Sequence, residues 1–489
     1  MSVLGVVITD GVGYRNFVLS DFLQEALQLH DKVVLFSCLP LSAYDIKHKN
    51  LELVFITEYK EHFYTWFFRK MKEVAHLKLF EKDNFGFRDA LRINYSTVHS
   101  NRGKATRLIY KVTSLFKGEN FIHFCTYAQQ QTFRKSAVKN YSQLLQQHGI
   151  THLFFTHQRP PYIAPVITAA NKNNIPTSTF IFSWDNLASK GRMAGDFKHY
   201  LVWSEKMKED LLHYYSRIKE HQIAVVGTPQ FEPYVLDRYV ERKALFYKKT
   251  GLDDSLKTLC FSCGDSATSK NDELYIATIA EAILNKTITA PINFLVRTSP
   301  AEDGSRFLSI QEKYPFIIWN FPKWNTLKSD HQESWSQRIP TIEDVKDLRS
   351  ILSYSDVNIN MLSTMSLDFM LFNKPVINVV FGNATNGLYD DQRFLNYAHI
   401  KDLTRSKAAY LALDKETLLQ QINNVLTDTS KNLFSIHPDI CEDTRTDGLN
   451  SLKPRHHKEK EQEQLLQFEI GKPLAQTGKR IAETLLQWS

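Results

Sequence analysis

The chain has 489 residues, of which 43% are hydrophobic, 12% aromatic and 23% charged, a globular composition that excludes a disordered, collagen-like or fibrous protein. At roughly 150 residues per domain this length suggests two to three domains, each able to bury its own core, and two large ones are expected. The formal charge is +7, and the whole excess falls between Glu58 and Gly118, with 13 Lys/Arg against 6 Asp/Glu there and 47 against 47 elsewhere.

Five scattered cysteines, Cys38, Cys125, Cys260, Cys263 and Cys441, do not make a disulfide framework; a reducing compartment and a cytoplasmic protein are expected. No apolar run approaches the ~20 residues needed to cross a bilayer. The start, LGVVIT, has neither the basic region nor the cleavage site of a signal peptide, so secretion by that route is not expected.

In chain order, VLGVVIT (3–9) reads as a strand, DGVGYRN (10–16) as a glycine-rich loop, FVLSDFLQEALQLH as a helix and VVLFS (33–37) as a strand. The stretch 58–118 carries 12 aromatic residues, including FYTWFF (63–68), among its basic ones, and reads as a helical insertion. Such a mixture suits an anionic membrane surface, and equally a solvated basic face packed on the first domain. Nucleic acid is a poorer fit, because the rest of the chain is neutral and no DNA or RNA module appears. The alternation of buried strands and helices returns over 145–205 and again from TLCFSCGD (258–265) to LDFMLFNKPVINVVFG. It predicts α/β architecture with two parallel sheets, each wrapped by helices. The expected boundaries are 1–235 for the first domain, 236–257 for a linker, 258–438 for the second domain and 439–489 for a tail. The tail ends in a helix with Ile481, Leu485 and Leu486 on one face.

Ser363 and Thr364 follow the strand VNINM and open a helix, where free N–H groups and hydroxyls can seat a phosphate. Asp368 lies one turn on, within reach of a ribose diol. A plain N-cap with a first-turn acid accounts for the same residues. Arg297 in LVRTSP ends a strand, where a guanidinium can neutralise a diphosphate or simply form an ion pair. Ser262 and Gly264 in the loop FSCGDS let backbone amides approach phosphate. The Cys260/Cys263 pair has no second ligand pair beside it, so strand and loop fit it better than zinc.

The string STMSLDFMLFNKPVI (363–377) resembles the donor-binding segment of GT-B glycosyltransferases. That fold has two Rossmann-like domains with parallel sheets facing a central cleft. FSWDNLASKG, KHYLVWSEKMKEDL, VVGTPQFEPY and LVRTSP follow the order seen in bacterial capsule and lipopolysaccharide transferases, and the Ser/Thr-acid-Lys-Pro pattern is similar to that of CDP-glycerol glycerophosphotransferases. The resemblance spans roughly 145–430. It implies a nucleotide-sugar donor held by Ser262, Gly264, Arg297, Ser363, Thr364 and Asp368. A first domain would present Gly13, Asn16 and Lys190 to a glycan or lipid-linked glycan acceptor, and would supply a general base. Two residues stand where strands of that domain should end: Asp185, preferred because it lies in the family-like FSWDN motif, and His157.

The absence of Glu from 348–370 points to inversion, and neither a metal nor a resident cofactor is implied, the nucleotide-sugar being a co-substrate. The expected activity is sugar transfer to a hydroxyl of a surface glycan, on the inner face of the membrane if 58–118 binds lipid. A CDP-linked polyol-phosphate transferase and a catalytically silent GT-B binding protein are the alternatives.

Overall fold

The computed structural model describes residues 2–266, 268–327, 334–382, 389–427 and 458–489. They form two compact units, one of Met1–Pro229 with Tyr397–His399 and Gln476–Ser489, the other of Gln230–Asn396 with Ile400–Ala475.

In the first unit, β1 (Val3–Ile8), β2 (Lys32–Ser37), β3 (Leu51–Phe55), β4 (His152–Phe155), β5 (Thr177–Phe180), β6 (His199–Val202) and β7 (Ile223–Val225) make a seven-stranded sheet of order β3-β2-β1-β4-β5-β6-β7. All pairings are parallel. Every residue of β1 is buried, as expected of a strand covered on both faces. The order reverses between β1 and β4, and in open α/β sheets the crevice beyond the carboxyl ends at such a switch point is where ligands bind.

The predicted loop at 10–16 is instead helical. Asp10 accepts the Gly13 N–H at 2.8 Å, an N-cap that starts α1 (Gly11–Val18) directly after β1. The helix expected over 17–30 breaks at Leu19–Asp21, where Ser20 Oγ accepts the Phe22 N–H, and resumes as α2 (Phe22–Leu29). Between β3 and β4 the basic aromatic stretch folds as α3 (Phe63–Phe80), α4 (Phe85–Asn94) and α5 (Asn101–Leu115), followed by α6 (Glu119–Gln131). The C-terminal helix Thr477–Gln487 packs on α2 with Ile481 and Leu485 buried and Leu486 half-buried.

The second unit holds β8 (Lys257–Ser262), β9 (Ile292–Arg297), β10 (Ile318–Asn320), a separate hairpin of β11 (Trp324–Thr326) and β12 (Arg338–Pro340), then β13 (Val357–Asn360), β14 (Val376–Val379) and β15 (Tyr410–Ala412). The sheet order is β10-β9-β8-β13-β14-β15, parallel throughout, with its switch point between β8 and β13. Residues from Gln230 onward, including 236–257, lie within this unit. The stretch read as a linker contains a helix, Lys243–Thr250, whose Phe246 and Tyr247 are buried against Tyr354. Apolar packing, hidden in sequence by the surrounding charges, fixes it there. The tail divides too: Glu459–Glu469 belongs to the second unit, Thr477–Gln487 to the first, and 439–457 lie outside the described residues.

Candidate functional site

At the switch point of the first sheet, His157 Nδ1 lies 3.0 Å from Asp10 Oδ2. Both residues are buried, and each stands just beyond the end of its strand. Thr9 Oγ1 donates to the same Asp10 oxygen at 2.7 Å, while the other oxygen takes the Gly13 N–H. Burial works to raise the Asp10 carboxyl, but the hydrogen bond and charge of His157, with the bonds from Thr9 and Gly13, outweigh it and hold the group below the usual range. Phe182 stacks on the imidazole with centroids 3.9 Å apart. The ring is thus fixed in plane and in tilt. A carboxylate accepts only, so Nδ1 carries a proton directed at Asp10; Nε2 has no hydrogen-bond partner among the described residues.

Asp185 is placed differently. It precedes the short helix Asn186–Ser189, and its carboxylate meets Lys190 Nζ at 3.3 Å, Asn186 Nδ2 at 3.1 Å and Ser189 Oγ at 3.2 Å. Desolvation works upward on this group, yet Lys190 and the hydrogen bonds prevail and hold it far below the ordinary aspartate range. A carboxylate so stabilised in its ionised form is a weak proton acceptor. The preference for Asp185 over His157 is therefore reversed on chemical grounds: Asp185 and Lys190 form an ion pair that shapes the 182–191 loop. Gly13 sits in α1 against Thr156, where an added Cβ would meet Oγ1 at 2.8 Å. Asn16 is buried, with Nδ2 lacking a partner among the described residues.

At the second switch point, β8 and β13 bring Ser262, Gly264, Ser363 and Thr364 to one edge of the sheet. Beneath it runs a buried ladder of amides: Asn358 Nδ2 donates to Ser262 Oγ at 2.8 Å, Asn360 Nδ2 to Asn358 Oδ1 at 2.7 Å, and Asn378 Nδ2 to Ser366 Oγ at 2.9 Å. Asn360 Oδ1 accepts the Ser363 N–H at 2.8 Å, and so sets the turn that opens the helix Met365–Met370. The Ser262 hydroxyl therefore serves the ladder. The Gly264 N–H, the group that could meet a phosphate, is bound to Asp272 Oδ2 at 3.0 Å, and its carbonyl accepts from Arg306 at 2.9 Å. Thr364 is half-buried and its hydroxyl has no partner among the described residues. Ser363 Oγ accepts the Met365 N–H at 3.3 Å and keeps its own proton to donate.

Two expected donor ligands are occupied elsewhere. Arg297 is buried, its Nη2 donating to both Asp344 oxygens at 3.0 and 3.1 Å and its Nη1 to Asn320 Oδ1. Asp344 further accepts the Lys323 N–H at 2.9 Å and Trp324 Nε1–H at 2.8 Å. A buried charge must be paired, and this one is a bolt between β9, β10 and the helix Ile342–Tyr354. Asp368 is buried too, with the Tyr234 hydroxyl donating to it.

Sequence reasoning missed Asp10, the amide ladder and Phe182. Asp10 had a usable signal, an acid directly after a buried strand and before two glycines. The ladder had none, since VNINM reads as an ordinary strand.

No protein-family model and no curated protein matches the chain. Among solved structures it is similar to the UDP-GlcNAc 2-epimerase from Methanocaldococcus jannaschii, with a TM-score of 0.52 at 10% identity over 100% of both chains. It is also similar to another UDP-N-acetylglucosamine 2-epimerase, with a TM-score of 0.50 at 12% identity over 99% of this chain and 95% of that one. Identities this low show the fold alone. The expected pair of Rossmann-like α/β units, the GT-B fold, is met.

Proposed function

We propose that the protein is a glycosyltransferase that moves a sugar from a nucleotide-sugar to a hydroxyl of a surface glycan, with inversion at the anomeric carbon. The observation that carries this reading is the Asp10–His157 pair at the switch point of the first sheet. His157 Nε2 takes the proton of the acceptor hydroxyl as its oxygen attacks the anomeric carbon. The bond from that carbon to the nucleotide phosphate breaks, and the nucleotide leaves with the electron pair. Asp10 holds the reactive tautomer and stabilises the imidazolium that forms. On the second unit, the Ser363 and Thr364 hydroxyls donate to the nucleotide phosphates at the other switch point.

The test is a thermal-shift screen against UDP, GDP, CDP, CMP and dTDP, followed by transfer assays with sugars carried by the nucleotide that binds. One nucleotide raising the melting temperature of wild type but not of Thr364→Ala, with transfer that His157→Ala abolishes, is the expected result. No shift with any nucleotide overturns the reading in favour of a non-catalytic protein. A CDP-linked polyol phosphate as the only productive donor replaces sugar transfer with phosphate transfer.

A further inference from the structure

Helices α5 and α6 turn an apolar face to solvent. On α5, Lys104, Leu108, Lys111 and Leu115 recur at intervals of three and four residues, so they share one side of the helix, and all four are exposed. Leu108 is 52% and Leu115 80% exposed. Phe116 follows at 58% and touches Phe121 at the start of α6, with ring centroids 5.8 Å apart. Phe121 stacks on Phe124 at 6.3 Å. The opposite sides of both helices pack on α3, where Ile109 and Ile122 are fully buried. The exposed row is therefore a second apolar face on helices that already have a buried one, an arrangement that water disfavours and a partner would stabilise.

The charge around this row is predominantly basic, and the two acids beside it are paired, Glu81 with Lys117 at 3.6 Å and Glu119 with Arg192. Residues 90–118 contain six Lys/Arg and no Asp/Glu. Alternating lysine and leucine along one helix side, bordered by aromatic rings, matches the headgroup boundary of a bilayer: ammonium groups meet lipid phosphates while leucine and phenylalanine enter the acyl region. We infer that this face docks on an anionic lipid surface. Nucleic acid would satisfy the lysines but give aliphatic side chains such as Leu108 and Leu115 nothing to bury against. The inference stands apart from the transfer reading, because its test measures binding and not turnover.

The experiment is co-sedimentation of the full chain with vesicles of phosphatidylcholine, with and without phosphatidylglycerol. Wild type should bind the anionic vesicles and much less the neutral ones, and salt should weaken binding. At about fivefold per basic residue, Lys104→Gln with Lys111→Gln should lower the affinity about 30-fold. Leu108→Ser with Leu115→Ser should lower it as well while the melting temperature stays that of wild type, since both side chains are exposed. Failure to bind either vesicle, or unchanged binding in both variants, overturns the proposal. So does a gel shift with single-stranded RNA in the absence of vesicle binding, or a change of oligomeric state in the leucine variant alone.

Discussion

His157 Nδ1 stands 3.0 Å from Asp10 Oδ2 across 147 residues of sequence. The contact follows from the pairing of β1 with β4, whose register sets Val7 opposite Phe155, so that both chains leave the sheet side by side. It joins a fixed carboxylate to an imidazole whose second nitrogen is unclaimed among the described residues.

Replacing His157 with Ala should lower the transfer rate by about 10² to 10⁴, with little change in KM for the donor. Asp10→Asn keeps an oxygen for the Gly13 N–H, and so keeps the cap on α1, but its amide can donate to Nδ1 and favour the wrong tautomer. It should be folded and nearly as slow as His157→Ala. Steady-state kinetics on both and on Asp185→Asn decide the base: if Asp185→Asn is dead while His157→Ala retains its rate, the assignment of His157 fails.

The α/β alternation and both sheets were legible because parallel strands buried on two faces read as apolar runs separated by helical periods. VLGVVI, HLFF and KTLCFS are all of this kind. What stayed hidden depends on which side chains meet. Arg297 ends a strand at a ligand-binding edge, as any phosphate-binding arginine would; that Asp344, 47 residues on, claims it is settled by tertiary packing alone. The short strands β10 and β15 carry three residues each, too few for a period to register.

Arg297→Met should destabilise the second unit by about 3 to 5 kcal/mol, because Asp344 would be left as a buried charge without its ion-pair partner. Thermal melting without nucleotide reads this directly. An arginine held in reserve for a diphosphate would give the opposite pattern, an unchanged melting temperature with lost nucleotide binding.

Ser363→Ala and Thr364→Ala should behave in that opposite way. The Thr364 hydroxyl holds nothing in place, so melting of Thr364→Ala without ligand should change by less than about 0.5 kcal/mol, and Ser363→Ala, which gives up the bond to the Met365 N–H, by about 1 kcal/mol at most, while the shift induced by nucleotide falls in both. Asn360→Ala is the control: it removes the acceptor of the Ser363 N–H from a buried site and should lower both.

Acid should loosen the first unit through His152. Its Nε2 is 2.7 Å from Ser178 Oγ and its Nδ1 3.3 Å from the Trp488 carbonyl, and burial pulls its pKa down to about 4. His199, stacked on Trp488 with centroids 4.4 Å apart, is lowered to about 4 by the same cause. In the unfolded chain a histidine titrates near 6.5, so between pH 6.5 and 4 the unfolded state binds more protons. Stability is complete above that window and is lost as pH falls through it, by up to about 3 kcal/mol for His152. Melting temperatures from pH 7.5 to 4.5 should decline, and His152→Gln should flatten the decline; an unaltered slope in that variant would assign the acid sensitivity elsewhere.

Gly478 opens the C-terminal helix directly against α2. A Cβ there would stand 2.3 Å from the Phe22 backbone nitrogen and 2.8 Å from the Asp21 carbonyl carbon, and backbone atoms cannot step aside as a side-chain tip can. Gly478→Ala should therefore push Thr477–Gln487 off α2 and cost about 1 to 3 kcal/mol, with Ile481 and Leu485 losing their buried contacts. Proteolysis should then release the C-terminal segment faster than in wild type. If the variant melts and digests as wild type does, the backbone at Asp21–Phe22 yields to the added methyl and the close approach of Gly478 is not what seats the helix.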